Sequence, residues 1–119
     1  MIKSLFRNIR GIKKKNATTK LKHLKSEYDL KLISVCEPLV DKTRIDSYKL
    51  KIGYRNAMCN QANRLWVFFD GCLSGTVIQE SNKFLAVKFH MHNFLFDFIT
   101  SFMHLVMLKL DSHCRMIYP

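Results

Sequence analysis

Two short segments of this 119-residue chain carry oxygen atoms suited to chemistry, Asn8-Ile9-Arg10-Gly11 and Cys36-Glu37-Pro38. Each closes an apolar run, with Ile2, Leu5, Phe6 and Ile9 leading into the first and Leu30, Leu32, Ile33 and Val35 into the second. An amide and a carboxylate at the ends of two neighbouring strands are oxygen donors, and ligand and metal sites in α/β folds gather at strand ends. On spacing alone the same residues have plainer uses. Glu37 can pair with a cation such as Arg10, and Asn8 can close a turn with its side chain.

The elements that must position them follow from the hydrophobic pattern. Ile2–Ile9 mixes β-favouring side chains with alternating polar ones and predicts a strand, which Gly11 ends. Ala17, Leu21, Leu24 and Tyr28 recur at helical spacing and predict a helix with Asn16 as its N-cap. Leu30–Cys36 is nearly continuous in apolar residues, as in a strand buried on both faces. Strand, helix, strand makes a βαβ unit with parallel strands.

The stretch 38–51 is mixed and polar, with a short helix expected around Thr43–Leu50. Beyond Gly53 the pattern predicts a run of antiparallel strands over Tyr54–Asn60, Arg64–Asp70, Leu73–Glu80 and Lys83–His90. Gln61-Ala62-Asn63, Asp70-Gly71 and Ser81-Asn82 supply the turns, Asp70-Gly71 being a tight-turn dipeptide between two apolar runs. Phe96–His104 is a further strand candidate, and residues 105–119 stand as an unassigned tail without pattern. The expected class is therefore α/β (α+β), a βαβ start followed by antiparallel strands.

The charge is lopsided, with 20 Lys and Arg against 9 Asp and Glu and a formal net charge of +11. Lys3, Arg7, Arg10, Lys13, Lys14, Lys15, Lys20, Lys22 and Lys25 all precede the first acidic residue, Glu27. Neutralising phosphates releases counterions, so DNA or RNA is the natural partner for such a surface. A solvated cationic face is the plainer alternative.

Cys36, Cys59, Cys72 and Cys114 fall at irregular intervals with no Cys-x-x-Cys pair and no zinc-type spacing. Cys36, Cys59 and Cys72 sit among apolar residues, where free cysteine acts as a small hydrophobe. A reduced intracellular protein, nuclear or cytoplasmic and without disulfides, is expected. The stretch before Ile12 is broken by Arg7, Asn8 and Arg10 and lacks a small-residue cleavage site, so secretion is not expected. Phe94–Leu110 carries Asp97, His104 and Lys109 and reads as strand and core rather than a membrane span. Trp66, Phe68 and Phe69 read as core, and His90 with His92 lacks a third metal ligand.

Three strings together resemble the endonuclease/exonuclease/phosphatase family, most closely the endonuclease domain of plant LINE-type (non-LTR) retrotransposons. Leu5-Phe6-Arg7-Asn8-Ile9-Arg10-Gly11 is similar to a first strand ending Trp-Asn-x-Arg-Gly, with Arg7 in place of tryptophan. Ile33-Ser34-Val35-Cys36-Glu37-Pro38 resembles the buried strand ending in Glu followed by Thr or Pro. Arg64-Leu65-Trp66-Val67-Phe68-Phe69-Asp70 looks like the Gly-x-Ile-Trp-x-x-Trp strand, with Arg64 and Phe69 as departures. The likeness covers residues 1–104 and implies part of a four-layer αββα sandwich, its N-terminal half.

The resemblance implies a Mg²⁺-dependent phosphodiesterase that nicks DNA, with Asn8 and Glu37 holding the metal. It also implies a phosphate contact near His104, while the basic run itself makes Arg10, Lys13, Lys14 and Lys15 the candidates for nucleic-acid contact. The family activates its water with a His held by an Asp, and no Asp-x-Asn occurs here. Asp111-Ser112-His113 has the wrong order for the family's Ser-Asp-His and is read as chance. General-base help is worth about 10²–10⁴-fold, so its loss implies a truncated, inactive relative of the nuclease. The alternatives are a non-catalytic basic nucleic-acid-binding module and a translation product that does not fold.

Overall fold

The computed structural model describes residues 2–92, 94–101, 105–107 and 114–117. The chain opens with β1 (Ile2–Asn8), α1 (Ala17–Tyr28) and β2 (Leu32–Cys36), the predicted βαβ unit. A 3-10 turn over Lys42–Arg44 then runs into α2 (Ile45–Ile52). The strands that follow are β3 (Asn56–Cys59), β4 (Leu65–Phe69), β5 (Ser74–Glu80), β6 (Phe84–Met91), β7 (Phe94–Ser101), β8 (Leu105–Met107) and β9 (Cys114–Ile117). They form two sheets, β3-β4-β2-β1-β9 and β5-β6-β7-β8. In the first sheet β1 is parallel to β2 and to β9, while β4 is antiparallel to β2 and β3. The pairings of the second sheet are antiparallel.

Alternation along the strands divides the core into two layers. Ile2, Leu32, Cys36, Val67 and Phe69 meet Leu85, Val87, Phe89, Phe96 and Phe98 between the sheets. Leu5, Ile33, Val35, Trp66 and Phe68 point the other way, onto Leu21 and Leu24 of α1 and Tyr48 and Ile52 of α2. Every residue of β2 and β4 is therefore buried, which is why both read as continuous apolar runs. A polar bridge crosses the inter-sheet layer: the hydroxyls of Ser34 and Thr100 lie 2.7 Å apart, both buried. Each needs the other, since a buried hydroxyl without a partner is destabilising.

Three local expectations are corrected. Asp70-Gly71 does not close a hairpin. Cys72 N–H donates to Asp70 Oδ1 and Leu73 N–H to Asp70 O, both at 3.0 Å, in a turn that carries the chain into the other sheet. Strand β4 already has β2 and β3 on its two sides, so no ladder is left for β5. Asn16 stands before α1 but makes no side-chain cap. Its backbone is left-handed at φ 68°, and Lys14 O already accepts the Ala17 N–H at 3.0 Å. Cys72 is exposed rather than a buried hydrophobe, while Cys36 is buried and Cys59 partly so.

The stretch 105–119 contributes two strands where no pattern was visible, β8 on β7 and β9 on β1. Among the described residues no helix is long and apolar enough to cross a membrane.

Candidate functional site

The parallel ladder sets Asn8 directly beside Cys36, so Glu37 begins where β2 ends, one position past Asn8's partner. Backbone bonds carry the pairing beyond the strands. Ile9 N–H donates to Cys36 O at 3.1 Å, Gly11 N–H to Glu37 O at 2.8 Å and Ile12 N–H to Pro38 O at 2.9 Å. The loop after β1 is thus fastened to the loop after β2. From the other side Glu37 N–H donates to Arg64 O at 2.9 Å, joining the β3–β4 hairpin to the same segment.

Left-handed backbone concentrates here. Arg10 (φ 45°), Glu37 (φ 57°), Leu39 (φ 58°) and Asn63 (φ 57°) adopt it without being glycine. Non-glycine residues rarely sit there unless their surroundings hold them, and such strain gathers at functional sites. Gly11, at φ 115°, has the conformation that only glycine takes easily.

The two sequence-predicted ligands border different clefts. Glu37, partly buried, lines one of about 490 Å³ with Pro38, Leu39, Ala62, Asn63 and Arg64. Asn8, exposed, lines one of about 290 Å³ whose walls include Arg7, Lys14, Lys15 and Lys20. Arg10, Lys13, Lys14 and Lys15 are all exposed. The cleft adds Arg7 and Lys20, which the sequence showed only as members of a general basic run. Charge periodicity on α1 and the position of Arg7 beside Asn8 were the available signals.

Burial pushes the Cys36 thiol up to about 11, with the Glu37 charge adding and the Arg10 charge opposing. Both charges therefore lie near one buried thiol. Among the described residues no ion pair joins Glu37 to Arg10, so that plainer use of Glu37 is not adopted. An amide and a carboxylate fit Mg²⁺, which favours hard oxygens, keeps several waters and uses only one or two carboxylates. Among the described residues no three His, Cys, Asp or Glu gather as a metal cluster, and the structure joins Asn8 and Glu37 through their backbones while their side chains border different clefts. His90 and His92 are exposed and join no such cluster. Trp66, Phe68 and Phe69 are core. His104 lies outside the described residues.

The hairpin wall of the Glu37 cleft depends on two asparagines. Asn60, fully buried, accepts from Arg64 N–H at 2.9 Å and Leu65 N–H at 3.0 Å and donates to Ser81 O at 3.0 Å. Asn63 donates to Val40 O at 2.7 Å and accepts from Trp66 Nε1 at 2.6 Å. In sequence Asn60 read as the end of a strand and Asn63 as an ordinary turn residue.

The layering defines the class: a mixed α+β chain of two facing sheets, with helices over the outer face of one, consistent with part of a nuclease-like sandwich. No protein-family model matches the chain, and no curated protein matches it. Among solved structures it is similar to the endonuclease domain of TRAS1, a telomere-specific non-LTR retrotransposon, at TM-score 0.57 and 14% identity. The match covers 84% of this chain and 44% of that one, so the chain spans less than half the length of its structural neighbour.

Proposed function

We propose that these 119 residues are a partial, catalytically inactive relative of a Mg²⁺-dependent retrotransposon endonuclease that retains a nucleic-acid surface. The observation that carries this reading is the joined pair of strand ends, Asn8 and Glu37, on an endonuclease-like fold. Asn8 and Glu37 would hold Mg²⁺ through their side-chain oxygens. Mg²⁺ held there would supply a Lewis acid toward a scissile phosphate and its leaving oxygen. Arg7, Lys14, Lys15 and Lys20, which line the cleft that Asn8 borders, would hold the phosphate backbone. The sequence has no Asp-x-Asn to hold a general base, so water goes unactivated. The motif strings support plant LINE-type ancestry, and the irregular cysteine spacing supports a reduced intracellular setting, nuclear or cytoplasmic.

Nicking of supercoiled plasmid in Mg²⁺ tests the inactivity. Wild type and Glu37→Ala are expected to give the same background, and nicking that Glu37→Ala abolishes would refute it. The cationic cleft favours a second reading in which binding alone is the function. Four phosphate contacts predict a salt slope of about −3 to −4 in log affinity against log salt for duplex DNA. A flat slope removes the nucleic-acid role from both readings.

A further inference from the structure

The side chain of Asn63 joins the Glu37 segment to the hydrophobic core. We infer that Asn63 is the positioning residue for the Glu37 carboxylate, an inference that rests on Glu37 being a metal ligand. Its Nδ2 donates to Val40 O and its Oδ1 accepts from Trp66 Nε1. An indole N–H only donates and a carbonyl only accepts, so the amide has one satisfying orientation.

Trp66 is a fixed reference. It is fully buried, with ring centroids 6.0 Å from Tyr48 and 6.1 Å from Phe68. Close-packed core side chains of this kind hold single rotamers. The position of Asn63 is therefore tied to the core rather than to the surface loop it occupies.

The segment it reaches needs holding. Glu37 and Leu39 are both left-handed, separated by Pro38, whose ring fixes its own φ. The segment is pinned at its start by Glu37 N–H to Arg64 O and at its end by Asn63 Nδ2 to Val40 O. These two pins come from the β3–β4 hairpin, and the loop after β1 adds Gly11 N–H to Glu37 O and Ile12 N–H to Pro38 O. Side chains alternate along β2, and the left-handed turn at Glu37 interrupts that alternation. Its Cβ direction, and hence where its carboxylate lies, follows from the clamped φ. Release of the clamp lets Glu37 return to an extended φ and turns the carboxylate elsewhere.

Asn63 suits the place twice over. It tolerates its own left-handed φ of 57°, and it offers a donor and an acceptor on one short side chain. Aspartate would set an oxygen against Val40 O. Glycine would keep the backbone and lose both bonds.

The test uses the full chain with Asn63→Gly, Asn63→Asp and Trp66→Phe, the last removing the indole donor and also opening a cavity in the core. The metal-free readout is the NMR three-bond HN–Hα coupling and the backbone shifts of Glu37 and Leu39. The second readout is Mn²⁺ affinity, with Glu37→Ala as baseline. Each variant is expected to move the Glu37 and Leu39 signals away from left-handed values. The Glu37-dependent Mn²⁺ affinity is expected to fall about tenfold or more, as when partners that orient a ligand are lost.

Unchanged couplings in the folded variants, even with a lowered melting temperature, would overturn the inference and leave Asn63 a structural residue. If Asn63→Gly does not fold, Asn63→Asp, which loses only the donor to Val40 O, decides by the same signals. Moved couplings without any Glu37-dependent Mn²⁺ binding in wild type would keep the clamp and remove the metal reading, which overturns the positioning role. Moved couplings with wild-type Mn²⁺ affinity would overturn it as well.

Discussion

Asn60→Ala removes the buried side chain on which the β3–β4 hairpin and the second sheet both depend. The amide makes three bonds, accepting from Arg64 N–H and Leu65 N–H and donating to Ser81 O. Each is worth about 1 kcal/mol net, and the buried Leu65 N–H left without an acceptor adds about 1–3 kcal/mol. Arg64 is exposed, so water replaces part of its loss. The expected cost is about 3–5 kcal/mol, a large share of the roughly 5–15 kcal/mol that holds a domain together. Urea denaturation should show the midpoint falling with an unchanged slope, and melting should drop by roughly 12–20 °C.

Asn60→Asp sharpens the point. It keeps both accepted bonds but faces Ser81 O with a carboxylate oxygen, and it buries a charge. Protonation restores the donor, so the introduced carboxyl should have a raised folded-state pKa, and the variant should regain stability as pH falls through it. A loss under about 1 kcal/mol for Asn60→Ala at unchanged slope would refute the reasoning.

Other consequences are simpler to measure. Ser34→Ala and Thr100→Ala each orphan a buried hydroxyl, so each should cost about 1–3 kcal/mol, with the double variant costing well under their sum. A double-mutant cycle by chemical denaturation that shows full additivity would contradict the bond. The buried Cys36 thiol keeps its proton to about 11, whereas the unfolded chain releases it near 9.0. The folded state binds more protons in that window, so stability falls as pH rises from 9 to 11, and Cys36→Ala should lack this component. Gly75 has no room for a Cβ, which would meet Phe89 Cε1 at 2.9 Å, Met58 Cε at 3.1 Å and Phe69 Cζ at 3.3 Å. Gly75→Ala should cost about 1–3 kcal/mol through overpacking between the sheets, read from the denaturation midpoint.

What was legible in the sequence is what local pattern encodes. The apolar run of β2 and the helical spacing of α1 gave the βαβ unit, and with it the adjacency of Asn8 and Glu37. The crossing from β4 to β5 was not legible. Asp70-Gly71 signals a turn, and only the two neighbours already paired with β4 decide that the turn leaves the sheet. Strand β9 pairs with β1 across more than a hundred residues, and a short strand of that kind has no local signature. The roles of Asn60 and Asn63 were hidden for the same reason. Their partners Ser81 and Val40 lie 21 and 23 residues away. Asn8 and Glu37 border two different clefts, which local pattern does not reveal because it carries no loop geometry.

The central claim is that Asn8 and Glu37 together hold a divalent cation. Mn²⁺ titration followed by electron paramagnetic resonance tests it on wild type, Asn8→Ala, Glu37→Ala and Lys13→Ala. The account predicts a site in wild type that Glu37→Ala abolishes, Asn8→Ala weakens and Lys13→Ala leaves in place. A site of undiminished affinity in Glu37→Ala would contradict it.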